Sequence, residues 1–423
     1  MGTLELPRLR PLSGRRVEHE GRSYVALVDP AGVFTEPVLV PWEAFQGVVR
    51  HFDGQTNLAE IQARALRDSG QFVNSAQIQE LVGQLDQAMV LDGPAFAEFY
   101  AGFRDEASRP AALAGRSYSG TERALTAELI RYFTAEGGSG EPTTEPSAPS
   151  ASSLRGILSP HIDFGRGGSV YSWAYKELVE RSDAEVFVIL GVAHQLCRRR
   201  FVLTRKDFET PLGTAVTDRS YVDRIAEVAG EQYFDDELVH KMEHSIEFQA
   251  VFLRHVLGGK RPFAIVPILV GSFQDLMERG IDPITDPEVA TFIDALRAAE
   301  AGCGRKVAYI GGIDLSHVGP EFGDSGRVSD DLQAEVKSFD TAMLKKAMSV
   351  DPSGWFATAS ATQNAYRVCG LAATYTMLHA IGDVQGRLLR YDQAINSERT
   401  CCVTFASVAY DSRDTRRDEV ALS

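Results

Sequence analysis

From residue 154 onward, two hydrophobic patterns alternate along the chain. Short, nearly continuous apolar runs lie at Gly156–Ser159, Val186–Gly191, Phe263–Val270, Val307–Ile313 and Val403–Tyr410. Between them, apolar residues recur at three-and-four spacing over 218–229, 245–257, 289–300 and 331–348. The runs predict strands buried on both faces, and the wider spacing predicts amphipathic helices. Their alternation predicts an α/β fold with a doubly wound, mostly parallel sheet. An earlier helical pattern (Leu125, Leu129, Ile130, Phe133) is apolar on one face and needs the same core. Residues 137–153, rich in Gly, Ser and Pro, read as a flexible insertion within this domain.

Residues from about 4 to 95 carry a different pattern. Tyr24–Val28 is a short β-type run, Asp29-Pro30-Ala31-Gly32 has turn chemistry, and Val38–Val40 predicts a returning strand. Trp42, Phe45, Val48, Val49 and Phe52 share one helical face until Asp53-Gly54. Asn57 with Glu60, and Asn74 with Gln77, cap two further helices. A β-hairpin with three short helices predicts a small winged-helix-like α+β domain. The expected division is 1–104 for this module, 105–412 for the α/β domain and 413–423 for a polar tail.

Composition narrows the partners. A formal charge of −15 and a pI near 5.1 argue against a general nucleic-acid surface. The third helix of the small domain also lacks Lys and Arg. No apolar run is long enough to span a bilayer, and the start of the chain is polar and proline-broken. Five cysteines without framework spacing (Cys197, Cys303, Cys369, Cys401, Cys402) fit a reduced, cytoplasmic setting.

The predicted strands end in chemistry-bearing residues. Leu158-Ser159 runs into Pro160-His161 and a glycine-rich turn, Val186–Leu190 into Gly191-Val192-Ala193-His194, and Val307–Ile313 into Asp314-Leu315-Ser316-His317. Parallel strands place these ends at one edge of the sheet, where ligands gather. Imidazoles converging with a carboxylate suit a divalent transition metal such as iron, zinc or copper. His240 and His244 stand one helical turn apart, with Glu243 and Glu247 beside them as acids or bases. Cys369-Gly370 precedes the helical pattern Leu371–Leu378, and a helix N-terminus favours a thiolate. Each group also has a structural reading: a hydrogen-bonded histidine, an Asp–His pair, a helix start at Ser245, a buried thiol.

Six ordered motifs then carry a resemblance. Ser159-Pro160-His161, Ile189–His194, Glu243-His244-Ser245-Ile246-Glu247, Val266–Gly271, Asp314–Gly319 and Cys369-Gly370 follow the order of the MEMO family, called AmmeMemoRadiSam system protein B in prokaryotes. The resemblance spans roughly residues 108 to 411. It implies a fold like that of class III extradiol dioxygenases of the LigB type. It also implies that His161, His194 and Cys369 bind iron or copper, with Asp314, His317 and His244 around them as catalytic groups. The chain departs from the family pattern at His161-Ile162-Asp163-Phe164 and at Val192-Ala193-His194-Gln195. Pro41–Phe45 through Phe52–Thr56, with Leu81–Gly93, resembles PqqD-like peptide-binding modules, which implies a peptide or protein partner and a radical-SAM neighbour.

Three functions follow as expectations. The first is an iron- or copper-dependent oxidoreductase acting on a peptide or small molecule recruited by the N-terminal module. The second is a non-catalytic metal- and peptide-binding adaptor. The third is a zinc hydrolase with Glu243 or Asp314 as base.

Overall fold

All five apolar runs lie in one eight-stranded sheet, as a near-continuous hydrophobic strand must if helices cover both its faces. The structure, a computed structural model, describes residues 4–70, 72–143 and 154–413. The chain forms two compact units, Met1–Glu106 and Ala107–Ser423.

The first unit is a three-stranded antiparallel meander, β1 (Ser13–His19), β2 (Arg22–Val28) and β3 (Val38–Pro41). Four helices follow: α1 (Trp42–Gly47), α2 (Leu58–Ser69), α3 (Ser75–Gln87) and α4 (Pro94–Asp105). The Asn57 side chain accepts the Glu60 amide, and Asn74 with Gln77 closes a capping box, as their spacing predicts. The helix predicted through Phe52 stops at Gly47, and a 3-10 turn, Val49–His51, takes its place. The apolar face survives this change, because Val48, Val49 and Phe52 are all buried. Strand β1 escaped prediction since its charged residues face solvent. It is defined by the turn at Glu20-Gly21, where φ is 49° and 75°. Helix α4 was also unpredicted; Pro94 opens it at a first-turn position.

In the second unit the strands are β4 (Ser108–Arg109), β5 (Leu154–Ser159), β6 (Val186–Val192), β7 (Phe201–Leu203), β8 (Asp207–Phe208), β9 (Ala264–Val270), β10 (Val307–Gly312), β11 (His317–Val318), β12 (Val384–Ile395) and β13 (Cys402–Ser412). Their order is β11-β13-β5-β10-β6-β9-β7, with β12 paired on β13 and β4 paired only with β8. The four central strands β5, β10, β6 and β9 run parallel; β13 and β7 flank them antiparallel. The connecting helices include α5 (Glu122–Thr134), α6 (Phe164–Arg181), α7 (Arg219–Ala229), α8 (His244–Leu257), α9 (Gln274–Glu278), α10 (Pro287–Cys303), α11 (Asp330–Met348), α12 (Pro352–Ser360) and α13 (Leu371–Ala380).

Side-chain alternation divides the core between the two faces. Val186, Val188 and Leu190 pack with α7, α10 and α13, whereas Phe187 and Ile189 pack with α6 and α8. Strand β12 lacks an apolar run because most of its side chains are at least partly exposed. Ile130 on α5, counted above in the apolar face, is exposed; Leu125, Leu129 and Phe133 are buried as expected.

The first part of the flexible insertion expected at 137–153 is instead held by hydrogen bonds to α6. Trp173 donates to the Gly137 carbonyl at 2.9 Å, Lys176 to Ser139 at 3.1 Å, and the Thr143 amide to Glu180 at 2.8 Å. Residues 137–143 are thus held along α6, and 144–153 lie outside the described residues, as do 414–423 of the expected tail. Among the described residues no helix is long and apolar enough to cross a membrane.

Candidate metal centre

The parallel strands deliver His161, His194 and Asp314 to one sheet edge, just beyond β5, β6 and β10. The packing there is close. A Cβ at Gly312 would sit 2.7 Å from the Ser245 carbonyl oxygen, and one at Gly370 would sit 2.5 Å from Ile313 Cβ. Glycine at these two positions lets the end of β10, the start of α8 and the Cys369 loop converge. Ser245 ties α8 to β6 by donating to the Val192 carbonyl and accepting the Val192 amide, both at 3.0 Å.

Hydrogen bonds orient each imidazole. His161 Nδ1 donates to the Gly312 carbonyl at 2.9 Å, so its Nε2 carries the lone pair. His194 Nδ1 donates to the Glu243 carboxylate, 3.0 Å from both oxygens, and again Nε2 is left free. Cys369 Sγ lies 3.3 Å from His161 Nε2. A donor atom from each of these three residues lies within 4.8 Å of the others. The thiol reaches this position through a turn in which Gln363, Asn364 and Arg367 adopt left-handed φ of 51°, 54° and 50°. Asn364 Oδ1 accepts the Val368 amide at 2.9 Å, and Arg367 pairs with Asp324 at 2.6 Å. Cys369 stands one residue before Gly370, the N-cap of α13.

Burial governs the charges. It pushes the Cys369 thiol well above its ordinary range, and the neighbouring Asp314 charge adds to this. Burial also raises the Asp314 carboxyl to about 6, against the amides of His161 and Ile162 that favour its charged form. On Glu243, burial pushes upward, but hydrogen bonds from His194 and His244 prevail and hold it well below the carboxylate range. The Glu243 side chain also caps α8, accepting the His244 and Ser245 amides at 2.9 and 3.1 Å. Its expected role as acid or base gives way to that of an anchored acceptor that fixes His194.

The other predicted residues fall differently. The His244 ring is 5.1 Å from that of His161 and 4.8 Å from that of His194, and its Nδ1 is 3.1 Å from Glu243. His194, Glu243 and His244 form a second group of adjacent donors. Asp314 accepts the His161 amide at 3.0 Å, and its other oxygen lies 3.7 Å from His161 Nε2. His317 stands apart from both donor groups, with Nδ1 on the Leu315 carbonyl at 3.2 Å and its ring against Phe322 at 5.2 Å. Asp163, one of the departures from the family pattern, caps α6 and pairs with Arg166.

The face expected to be shared by His240 and His244 does not form. Helix α8 starts at His244, and His240 lies in the preceding 3-10 turn, Glu237–Lys241, where Nε2 bonds the Val202 carbonyl. Glu247 is not free for acid–base work either, since Arg109, Tyr118 and the amides of Ala112 and Leu113 bind its carboxylate. No local pattern singles out Arg109, whose bonds to His240, Glu243 and Glu247 each span more than 130 residues.

Burial lowers His240 from 6.5 to about 3. An unfolded chain takes up that proton near 6.5, so folding stability is complete above this pH and falls as pH drops towards 3. Metal-free protein should lose up to about 1.4 kcal/mol per pH unit from this group across the window. Urea midpoints at pH 5 and pH 7 should therefore lie closer together in His240→Gln than in the parent.

A cavity of about 280 Å³ opens beside the trio, lined by His194, Cys369, Asn364 and Arg367 among others. His161 is closed off at 2% exposure, so His194 and Cys369 form the accessible side.

Known proteins share this unit. The family described as Memo-like protein matches residues 109–411. A MEMO1 family protein of Pyrococcus furiosus is 30% identical over 315 residues, 72% of this chain and 97% of its own length. One from Aquifex aeolicus is 23% identical over 397 residues, covering 90% of this chain and 94% of its own. That match is longer than the second unit, so it extends into the first. The memo-1 homolog of Caenorhabditis elegans is 31% identical over 170 residues, 40% of this chain and 44% of its own. By this match, and by the extent of the Pyrococcus alignment, the chain belongs to the Memo-like family.

Proposed function

We propose that His161, His194 and Cys369 hold a single redox-active ion, iron or copper, and that the protein is a metal-dependent oxidoreductase. The observation that carries this reading is the donor set itself. Two imidazoles present Nε2 because their Nδ1 protons are bound by Gly312 and Glu243, and a thiol stands 3.3 Å from one of them. A mixed nitrogen and sulfur set suits a soft, redox-active metal better than a hard cation. When bound, such an ion supplies one-electron redox chemistry and Lewis acidity.

The chain's own groups do the rest. Gly312 and Glu243 fix the imidazole tautomers. Asp314 orients the His161 backbone, and with its carboxyl raised to about 6 it can hold or release a proton near neutral pH. His244, stacked on His194, is the second proton carrier. His317, its ring against Phe322, stands apart from the donor groups and takes no part in holding the ion. Resemblance to the class III extradiol dioxygenases supports oxidative chemistry in the second unit. Resemblance of the first unit to PqqD-like modules supports a peptide as substrate or a radical-SAM protein as partner.

Metal analysis of anaerobically purified protein, with ultraviolet–visible and EPR spectra, tests the reading. About one iron or copper ion per chain is expected, lost in His161→Ala and in Cys369→Ala. Stoichiometric zinc would favour a hydrolase. Protein that takes up no metal on reconstitution would favour the adaptor, and metal unaffected by either substitution would remove the trio.

A further inference from the structure

The turn after His194 contains three consecutive arginines, Arg198-Arg199-Arg200, in a chain whose formal charge is −15. It borders a cavity of about 440 Å³ just beyond the ends of β6 and β9, where open α/β sheets bind ligands. His194, Gly271 and Ser272 line this cavity and also the smaller one that reaches Cys369, so the two meet at the candidate metal ligand.

The three arginines are not equivalent. Arg200 is held by Asp275 at 2.7 Å, with Asp286 and Glu288 at 3.7 and 3.9 Å. It thereby neutralises Asp275 and Glu288, the two acids that line the cavity. Arg198 faces Asp236 at 3.8 Å with a side chain 70% exposed, a weak solvated pair. Arg199 lines the same cavity and makes no ion pair among the described residues. The acids around this loop are therefore engaged by Arg198 and Arg200, and Arg199 is the cation left over. A volume of about 440 Å³ lies within the range of small-molecule sites.

We infer that this cavity binds the anionic group of a small substrate, a carboxylate or a phosphate, on Arg199 with help from Arg198. The bound molecule lies across the two joined cavities, with its remaining part at His194 and Cys369. This names a substrate class for the centre proposed above and rests on that reading for its purpose, but the anion site itself needs no metal. Guanidinium groups hold both anions through paired N–H donors, so the chemistry is shared and the probe must separate the two.

The test is calorimetric titration of inorganic phosphate, and separately of glutarate, into metal-free full-length protein. Arg199→Ala and the double variant Arg198→Ala/Arg199→Ala are titrated alongside. Saturable binding of at least one probe is expected, weakened roughly tenfold by Arg199→Ala and lost in the double variant. Metal content after reconstitution should be the same in all three proteins. Binding of phosphate alone assigns a phosphate-bearing substrate, and binding of glutarate alone a carboxylate-bearing one. Equal affinities in parent and variants, or binding of neither probe, would overturn the inference. So would binding confined to an acidic hexapeptide, which would make the loop a macromolecular docking site. Because the titration is metal-free, a failure of the metal reading leaves its outcome unchanged.

Discussion

Arg109→Ala should lower the stability of the second unit by about 3–5 kcal/mol, because it strands a carboxylate in the core. The Arg109 and Glu247 side chains are both 0% exposed and lie 2.5 Å apart. Arg109 also donates to the Glu243 carbonyl at 2.7 Å and to the His240 carbonyl. Removing it therefore leaves two carbonyls and a carboxylate without their principal donor, each a desolvated acceptor. Arg109→Met with Glu247→Leu removes the charge pair together and should recover part of the loss. Recovery is incomplete, since Tyr118 and the amides of Ala112 and Leu113 then lack Glu247. Urea unfolding of the three proteins measures this. Lys306→Ala serves as the exposed control, its pair with Asp183 being 65% and 46% exposed, and should shift stability by less than about 1 kcal/mol. An Arg109→Ala loss no larger than that control would refute the buried-pair account.

The second large effect is expected at Glu243, in metal affinity rather than stability. Its two oxygens accept His194 Nδ1, the His194 amide and the amides of His244 and Ser245. Glu243→Gln keeps the shape but removes the charge and one acceptor, so His194 becomes less basic and its tautomer is no longer fixed. Losses of this kind weaken metal binding by about 10–100-fold. Competition against a chromogenic chelator reads the change directly. Asp163→Asn is the control: this residue caps α6 two positions from His161, and among the described residues its side chain bonds Arg166 alone. Affinity should fall in the first variant and hold in the second. Equal affinity in Glu243→Gln and parent would show that the carboxylate only caps α8.

The two effects meet in one short segment. Arg109 binds the backbone of His240 and Glu243, and the Glu243 side chain binds His194. The approach to α8 is thus fixed from beneath by the buried ion pair and from above by the imidazole. A helix start held in this way can place His194 and His244 within 4.8 Å ring to ring.

By itself the sequence determined the alternation of strands and helices, because the periodicity of apolar residues records which side of each element is buried. It determined the helix starts at Asn57 and Asn74, because a cap acts within one turn. It also set His161, His194 and Asp314 at strand ends, and parallel strands linked by crossovers carry such ends to one edge. Tertiary structure alone decided which groups meet there. His244 joins the centre and His240 does not, although both share one short segment, because the chain turns between them before α8 begins. Cys369 reaches His161 across 208 residues through a left-handed turn that no local pattern announces. Arg109 finds Glu247 across 138 residues for the same reason. Local periodicity fixes the direction of a side chain relative to its own element. The meeting of two side chains depends on how separate elements pack, and that information is spread over the whole core.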